Sequence, residues 1–163
     1  MVGTPIGDPQ DPAQLAANKE VVRRWIEAVN ENNTELFLAT MADDVHYQIM
    51  GNTLLSGTYS REFLRNTANL LYNNTKGGIK MEIVTMTAEA DRVAVEFRGT
   101  AQMVTGVRYD NEYHSMFRVR DGKVFFIKEY MDTELVSKVF TPIVAAMNAA
   151  QPSDPTTAKG STP

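Results

Sequence analysis

Cysteine is absent from this 163-residue chain, which excludes disulfides, thiolate nucleophiles and cysteine-held metals. Histidine occurs only twice, as His46 and His114, on segments that read as separate strands. No His-Glu-x-x-His pattern, no Gly-rich phosphate loop and no Gly-x-Ser-x-Gly elbow is present. The residues therefore point to no metal site and no cofactor. No apolar run approaches the roughly 20 residues of a membrane helix. The opening Met1-Val-Gly-Thr-Pro-Ile-Gly-Asp8 lacks the basic region and apolar block of a signal peptide, so a cytoplasmic location is expected. Basic charge is not in excess either. The net charge is -4 and the cations are scattered, which argues against nucleic acid as a partner.

What is present fits a globular protein, with 43% hydrophobic and 22% charged residues. Residues 1–13 hold three prolines and two glycines and read as a flexible arm. Residues 14–149 read as one domain, and 150–163 as a disordered tail rich in Pro, Ser and Thr. Leu15, Val22, Trp25, Ile26 and Val29 recur at helical spacing after an Asp11-Pro12 cap. Thr34 to Ala42 reads as a second helix, Val45 to Met50 as a strand, and Thr53 to Tyr59 as a loop. A third helix starts at Ser60, with Phe63, Leu64, Ala68, Leu70 and Leu71 on its apolar side.

After Gly78 the period changes to two. Met81, Ile83 and Thr85 alternate, then Val93, Val95 and Phe97. Tyr109, Asn111, Tyr113, Ser115, Phe117 and Val119 share one face of a third run, and Asp121-Gly122 is a strong hairpin signal. Val124 to Met131 is the last strand, and Glu134 to Ala149 a terminal helix kinked or divided at Pro142. Helices segregated from antiparallel strands indicate an α+β fold.

The stretch Asn18-Lys-Glu-Val-Val-Arg-Arg-Trp25-Ile-Glu-Ala-Val-Asn is followed by Met41-Ala-Asp-Asp-Val45 and Gly51. Near the end come Tyr109-Asp-Asn-Glu-Tyr113-His-Ser-Met-Phe-Arg-Val-Arg-Asp-Gly122 and Lys128-Glu-Tyr-Met-Asp-Thr133. Together these resemble the NTF2-like superfamily, in its SnoaL-like polyketide-cyclase and ketosteroid-isomerase-like branch, over roughly Asn18 to Phe140. The resemblance implies a cone-shaped fold, in which a curved antiparallel sheet wraps around the N-terminal helices and an extra C-terminal helix follows. It also implies acid–base chemistry in a dry pocket without a cofactor, and an oligomer, either homodimer or homotrimer. Relatives of this kind include dehydratases, isomerases, epoxide hydrolases and lyases, and others that only bind small molecules or proteins.

Glu129 leads the candidates for chemistry. Alternation places it on one face of the last strand with Phe125, Ile127 and Met131. A carboxylate on an apolar face must be paired or have its pKa raised, and a raised pKa suits a general acid or base. The resemblance agrees, because polyketide cyclases carry an acidic residue that matches this position. The alternative is a structural carboxylate bonded to Asn111 or a tyrosine.

Aligned on Gly51, Gln48 stands where ketosteroid isomerase has its basic aspartate. His46 would then share the pocket face and supply a base, or else lie at the surface, while Tyr47 would point away; a one-residue change of register reverses these choices and makes Tyr47 the substrate-binding candidate. Counting back from Asp121-Gly122, the position of a catalytic histidine in some relatives falls on Ser115. His114 shares a face with Glu112, Met116 and Arg118, so it reads as outer surface. Tyr109, Asn111 and Tyr113 would line the pocket, and Asn111, Tyr113 or Gln48 would hold an oxygen of the ligand; the first three are otherwise satisfied core groups. Trp25 would pack over the pocket or simply fill the core.

The expected activity is a cofactor-independent lyase, dehydratase or isomerase, with Glu129 moving a proton and His46 assisting. The substrate would be a hydrophobic aromatic or polycyclic small molecule. Two alternatives are a non-catalytic binding module, favoured by a fully paired Glu129 and a sealed pocket, and an oligomerisation module, favoured by a filled one.

Overall fold

A computed structural model of the protein describes residues 11–150. Residues 1–10 of the expected arm and 151–163 of the expected tail lie outside the described residues. Ten elements follow in order: α1 (Pro12–Asn30), α2 (Thr34–Ala39), β1 (Met41–Ile49), β2 (Gly57–Tyr59), α3 (Arg61–Asn73), β3 (Lys80–Glu89), β4 (Arg92–Gln102), β5 (Arg108–Arg120), β6 (Lys123–Met131) and α4 (Thr133–Ala150).

The helix ends have visible chemical causes. Asp11 Oδ1 accepts the Ala13 N–H at 3.0 Å, and Pro12 occupies the first turn, where its missing N–H costs nothing. Asn33 caps α2, with its Oδ1 accepting the Leu36 N–H at 3.0 Å. That helix ends at Ala39, shorter than the apolar pattern predicts, because the chain is drawn into β1 from Met41 onward. Part of the expected loop 53–59 is also an edge strand, β2, whose Tyr59, Thr58 and Gly57 pair with Tyr47, Gln48 and Ile49.

The six strands form one sheet in the order β2-β1-β6-β5-β4-β3. All neighbours are antiparallel except β1 and β6, which run parallel, so the sheet is mixed where an antiparallel one was expected. The β5–β6 hairpin closes through Asp121 and Gly122, both at positive φ (52° and 70°), the conformation that matches strand twist in a two-residue turn. Register shifts interrupt β1–β6, β3–β4 and β5–β6, and such bulges bend strands and increase the local twist.

The architecture is the expected α+β cone. Helix α1 crosses the inner face and contacts β3, β4, β5 and β6, while α3 packs on α2 and β1 and α4 returns against β5. Val22, Trp25 and Ile26 of α1 are buried against Val93, Val95, Phe97, Phe117, Val124 and Ile127. Each large side chain fully buried in this way contributes about 1.5–3 kcal/mol. At the centre of β4, Gly99 leaves room for Tyr113, whose ring stacks on Phe97 with centroids 4.8 Å apart. A Cβ at Gly99 would lie 2.8 Å from Tyr113 Cε2.

Two sequence-based face assignments need correction. In β6 the shift opposite Arg118 and Val119 leaves Phe125 without a cross-strand partner. Phe125 therefore leaves the face of Ile127 and Glu129 and lies beneath the Arg118 and Arg120 guanidiniums, at 5.0 and 4.6 Å. In β1 the pocket face belongs to Val45, Tyr47 and Ile49. Tyr47 pairs with buried Ile127, while His46 pairs with Phe126 and Gln48 with Lys128 on the outer face.

Candidate active site

The cone encloses a cavity of about 460 Å³ between α1, α3, the inner sheet face and α4. Small-molecule sites commonly span roughly 300–1,000 Å³. Its walls are mostly apolar, among them Phe37, Ile49, Leu55, Leu64, Met81 and Phe140. Leu54, Phe63 and Tyr72 also line it and are 40%, 46% and 47% exposed, so the cavity reaches the surface through an apolar mouth. No Asp, Glu, Lys, Arg or His stands among the described residues of the lining.

Tyr47 connects this cavity to a buried carboxylate. The Tyr47 ring lines the cavity, and its hydroxyl donates to Glu129 Oε1 at 2.9 Å. Glu129 Oε2 accepts from the Ser115 hydroxyl at 3.1 Å. Glu129 is 3% exposed and Ser115 fully buried. Three strands set this geometry: β6 carries the acid, and β1 and β5 flank it on either side.

Burial disfavours the charged form and pushes the Glu129 carboxyl up to about 7, with the Tyr47 and Ser115 hydrogen bonds pulling partly back. The same burial, followed by the nearby Glu129 charge, holds Tyr47 well above the usual phenol range. Near neutral pH the pair can therefore exchange one proton between acid and carboxylate while Tyr47 stays protonated at rest.

Trp25 borders the cavity beside Tyr47. Its ring is held edge-on by Tyr47 (6.2 Å) and Phe117 (5.2 Å), and by Phe37 at 5.4 Å.

The other predicted residues lie elsewhere. Tyr109, Asn111 and Tyr113 do face the interior of β5, but they are not part of the cavity lining and form a closed hydrogen-bonded cluster. Tyr109 and Tyr113 share a hydrogen bond at 2.9 Å, and Asn111 Nδ2 donates to Tyr109 Oη at 3.0 Å. The Asn111 amide also clamps the start of α4. It donates to the Asp132 carbonyl at 3.2 Å and accepts the Asp132 N–H at 3.1 Å. A side chain so fully satisfied by its neighbours has little left to offer a ligand.

His46 is exposed on the outer face and Gln48 half-buried there, so neither reaches the cavity. The count from Gly51 misled because Met50 and Gly51 lie beyond the end of β1. The apolar alternation Val45, Tyr47, Ile49 carries the correct parity. His114 lies on the outer face, as expected, opposite Glu96.

Ser115 is a member of the site that the sequence signalled by its place on the inward face of β5 and by its spacing from Asp121-Gly122. Asn32, Asn33 and Asn74, from two loops, and Thr34 at the start of α2 form a polar part of the lining. Asn32 Nδ2 donates to the Gly77 carbonyl at 3.3 Å, which ties those loops together. Among the described residues, no group of three or more His, Asp or Glu side chains is placed to hold a metal. No described helix is long and apolar enough to cross a membrane.

Solved structures share this fold. PrhC from Penicillium brasilianum NBRC 6234 superposes with a TM-score of 0.74 at 15% identity, over 83% of this chain and 93% of that one. The BvnE pinacolase from Penicillium brevicompactum gives 0.73 at 14% identity, over 84% and 97%. TerC, co-crystallised with polyporic acid, gives 0.66 at 19% identity, over 77% and 98%. No curated protein matches the sequence. The family model of the SnoaL-like domain matches residues 22–127, which run from the buried face of α1 to Ile127 of β6. With most of its length covered by that match and its fold shared with NTF2-like structures, the chain belongs to the SnoaL-like domain family.

Proposed function

We propose that the protein is a cofactor-independent lyase, dehydratase or isomerase acting on a hydrophobic, aromatic or polycyclic small molecule. The observation that carries this reading is the Tyr47–Glu129 hydrogen bond, which joins a buried carboxylate to the wall of an apolar cavity. Glu129 does not line the cavity, so its protons pass through Tyr47. A substrate proton moves to Tyr47 Oη as the Tyr47 proton moves to Glu129 Oε1. The return of both protons along the same path completes an isomerisation, or protonates a leaving oxygen in an elimination. Ser115 holds the second carboxylate oxygen and keeps the first aimed at Tyr47. A carboxyl poised near 7 is matched to this task at neutral pH. Among proteins of the same fold, BvnE is described as a pinacolase, and TerC was co-crystallised with polyporic acid.

A binding module is the second reading, favoured by the pairing of both Glu129 oxygens. Against it stands the open mouth of the cavity, where a sealed pocket was expected of a binding module. An oligomerisation module predicts a filled interior, which the 460 Å³ cavity opposes.

The deciding experiment follows solvent deuterium exchange at the α-carbon of a panel of neutral aromatic ketones by NMR. Wild-type protein accelerates exchange, and Glu129→Gln, folded as judged by circular dichroism, loses about 100-fold or more. Equal rates for the two proteins remove the acid–base role. Binding without exchange in either moves the assignment to the binding module.

A further inference from the structure

The cavity has two chemically different ends. At one end Tyr47 stands beside Trp25 and pairs across the strands with Tyr59, which also lines the cavity and stacks on Phe63 at 4.5 Å. From this end α1 leads past Trp25 to Asn32, and α3 leads past Phe63 to Asn74. Asn32 Nδ2 donates to the Gly77 carbonyl at 3.3 Å, which joins the far ends of the two helices. Both helices therefore run along the cavity from a tyrosine end to an asparagine end. Leu64, Ala68 and Leu71 recur on the cavity side of α3, and seven residues of helix measure about 10 Å.

The far end is polar without being charged. Asn32, Asn33 and Asn74 line it, and Asn32 and Asn33 are exposed at the mouth, within reach of a ligand in the cavity. Asn33 Oδ1 accepts the Leu36 N–H, which holds that amide in place. Amides offer donors and acceptors but no counter-charge. The arginines of α3 are engaged elsewhere: Arg61 donates to the Leu38 carbonyl at 3.1 Å, and Arg65 to Glu35 at 3.5 Å. No charged residue follows Pro142 in α4. A carboxylate or phosphate in this cavity would therefore be desolvated without a partner, whereas a hydroxyl, ether or amide substituent would find one.

We infer that the ligand is a neutral, elongated ring compound with two polar ends, its reacting carbonyl or hydroxyl at Tyr47 and an uncharged hydrogen-bonding substituent about 10 Å away among Asn32, Asn33 and Asn74. This names the substrate class of the acid–base site. It rests on that reading for which end reacts, but not for the contact at the asparagines.

Three probes share one two-ring ketone and differ at the far end: 4-acetylbiphenyl, 4-acetyl-4′-hydroxybiphenyl and 4′-acetylbiphenyl-4-carboxylate. Dissociation constants are measured with the full-length protein at neutral pH, and the asparagine side-chain amides are followed by NMR. The hydroxyl compound is expected to bind about 3- to 10-fold more tightly than 4-acetylbiphenyl and to shift the Asn33 amide protons, which the parent ketone leaves in place. The carboxylate is expected to bind at least about tenfold more weakly than the hydroxyl compound. Asn33→Ser keeps an oxygen that can cap α2 and removes the amide, and is expected to bring the hydroxyl compound and its parent within about twofold of each other.

Equal affinities of the hydroxyl compound and its parent for the wild-type protein overturn the polar far end. A hydroxyl preference that moves no asparagine amide and survives Asn33→Ser overturns its placement. The carboxylate binding as tightly as the hydroxyl compound overturns the neutral class. If none of the three binds at millimolar concentration, the ligand class is wrong altogether. Deuterium exchange into the acetyl methyl reads the acid–base role separately, so the expected order of affinities without exchange overturns the catalysis and leaves the ligand class standing. The wild-type amide shifts decide the contact even if Asn33→Ser folds poorly.

Discussion

Tyr47 and Glu129 are 82 positions apart in the chain, yet the tyrosine hydroxyl donates to the carboxylate at 2.9 Å. The parallel pairing of β1 with β6 makes the contact, setting Tyr47 beside Ile127 and Ile49 beside Glu129. One residue of slippage in this register would put His46 over the acid instead. The pair is buried among apolar side chains, so its hydrogen bond governs both protonation and stability.

Glu129→Gln is expected to stabilise the protein in alkaline solution. The folded-state pKa of Glu129 is raised from 4.5 to about 7, so the favourable protonated form contributes fully below pH 4.5 and is lost as pH rises through 7. Above that, the ionised carboxyl costs roughly 3 kcal/mol relative to its neutral form. Glutamine, which cannot ionise, escapes this cost. Thermal melts of the two proteins from pH 4 to 9 should converge in acid and separate by several degrees in base, with the variant higher. Parallel curves across the range would mean that Glu129 titrates normally.

Tyr47→Phe keeps the ring in the cavity wall and removes the hydroxyl. Glu129 then loses a hydrogen bond that lowers its pKa, so its titration should move above 7. In the deuterium-exchange assay, kcat/KM should fall about 100-fold or more, and the rising limb of the pH profile should shift upward with it. A lower rate with an unshifted profile would leave Tyr47 as packing alone.

His46→Ala and Gln48→Ala should be silent. Both residues lie on the outer face of the sheet, away from the cavity. Exchange rates should stay within twofold of wild type, and stability within about 0.5 kcal/mol. A large loss of activity in either variant would mean that β1 is registered one residue away from its placement here.

Asn111→Leu should be costly for folding. Its amide holds both the N–H and the carbonyl of Asp132, where β6 turns into α4. Leaving those groups unpaired costs about 1–3 kcal/mol, readable as a lower denaturant midpoint. Ligand affinity, measured where the variant is fully folded, should be unchanged. An affinity loss without a stability loss would return Asn111 to the binding site.

Gly99→Ala tests the packing beneath that cluster. The added Cβ meets Tyr113 Cε2 at 2.8 Å, and backbone on both sides is fixed in the sheet. The Tyr113 ring must move off Phe97, at a cost of about 1–3 kcal/mol. A neutral effect on the melting temperature would show that Tyr113 has room to shift.

The periodicities of the chain carry the fold far. Helical spacing around Trp25 and strict alternation from Tyr109 to Val119 are local consequences of which side chains must leave water. They identify α1, β5 and the hairpin at Asp121-Gly122 without reference to any other part of the molecule. The same logic marks Glu129, since a carboxylate among apolar neighbours is conspicuous wherever it stands. Local pattern does not carry which strand lies beside which, or in what register. Phe125 leaves its expected face because of a bulge against β5, and His46 yields to Tyr47 because β1 ends at Ile49, short of the Gly51 from which its parity was counted. A long-range hydrogen bond satisfies Asn111 inside the core, where its position on the strand had suggested a ligand contact. Side-chain identity and spacing decide which residues are buried, whereas the partner each buried polar group finds depends on strand pairing between distant segments, and only the folded chain sets that.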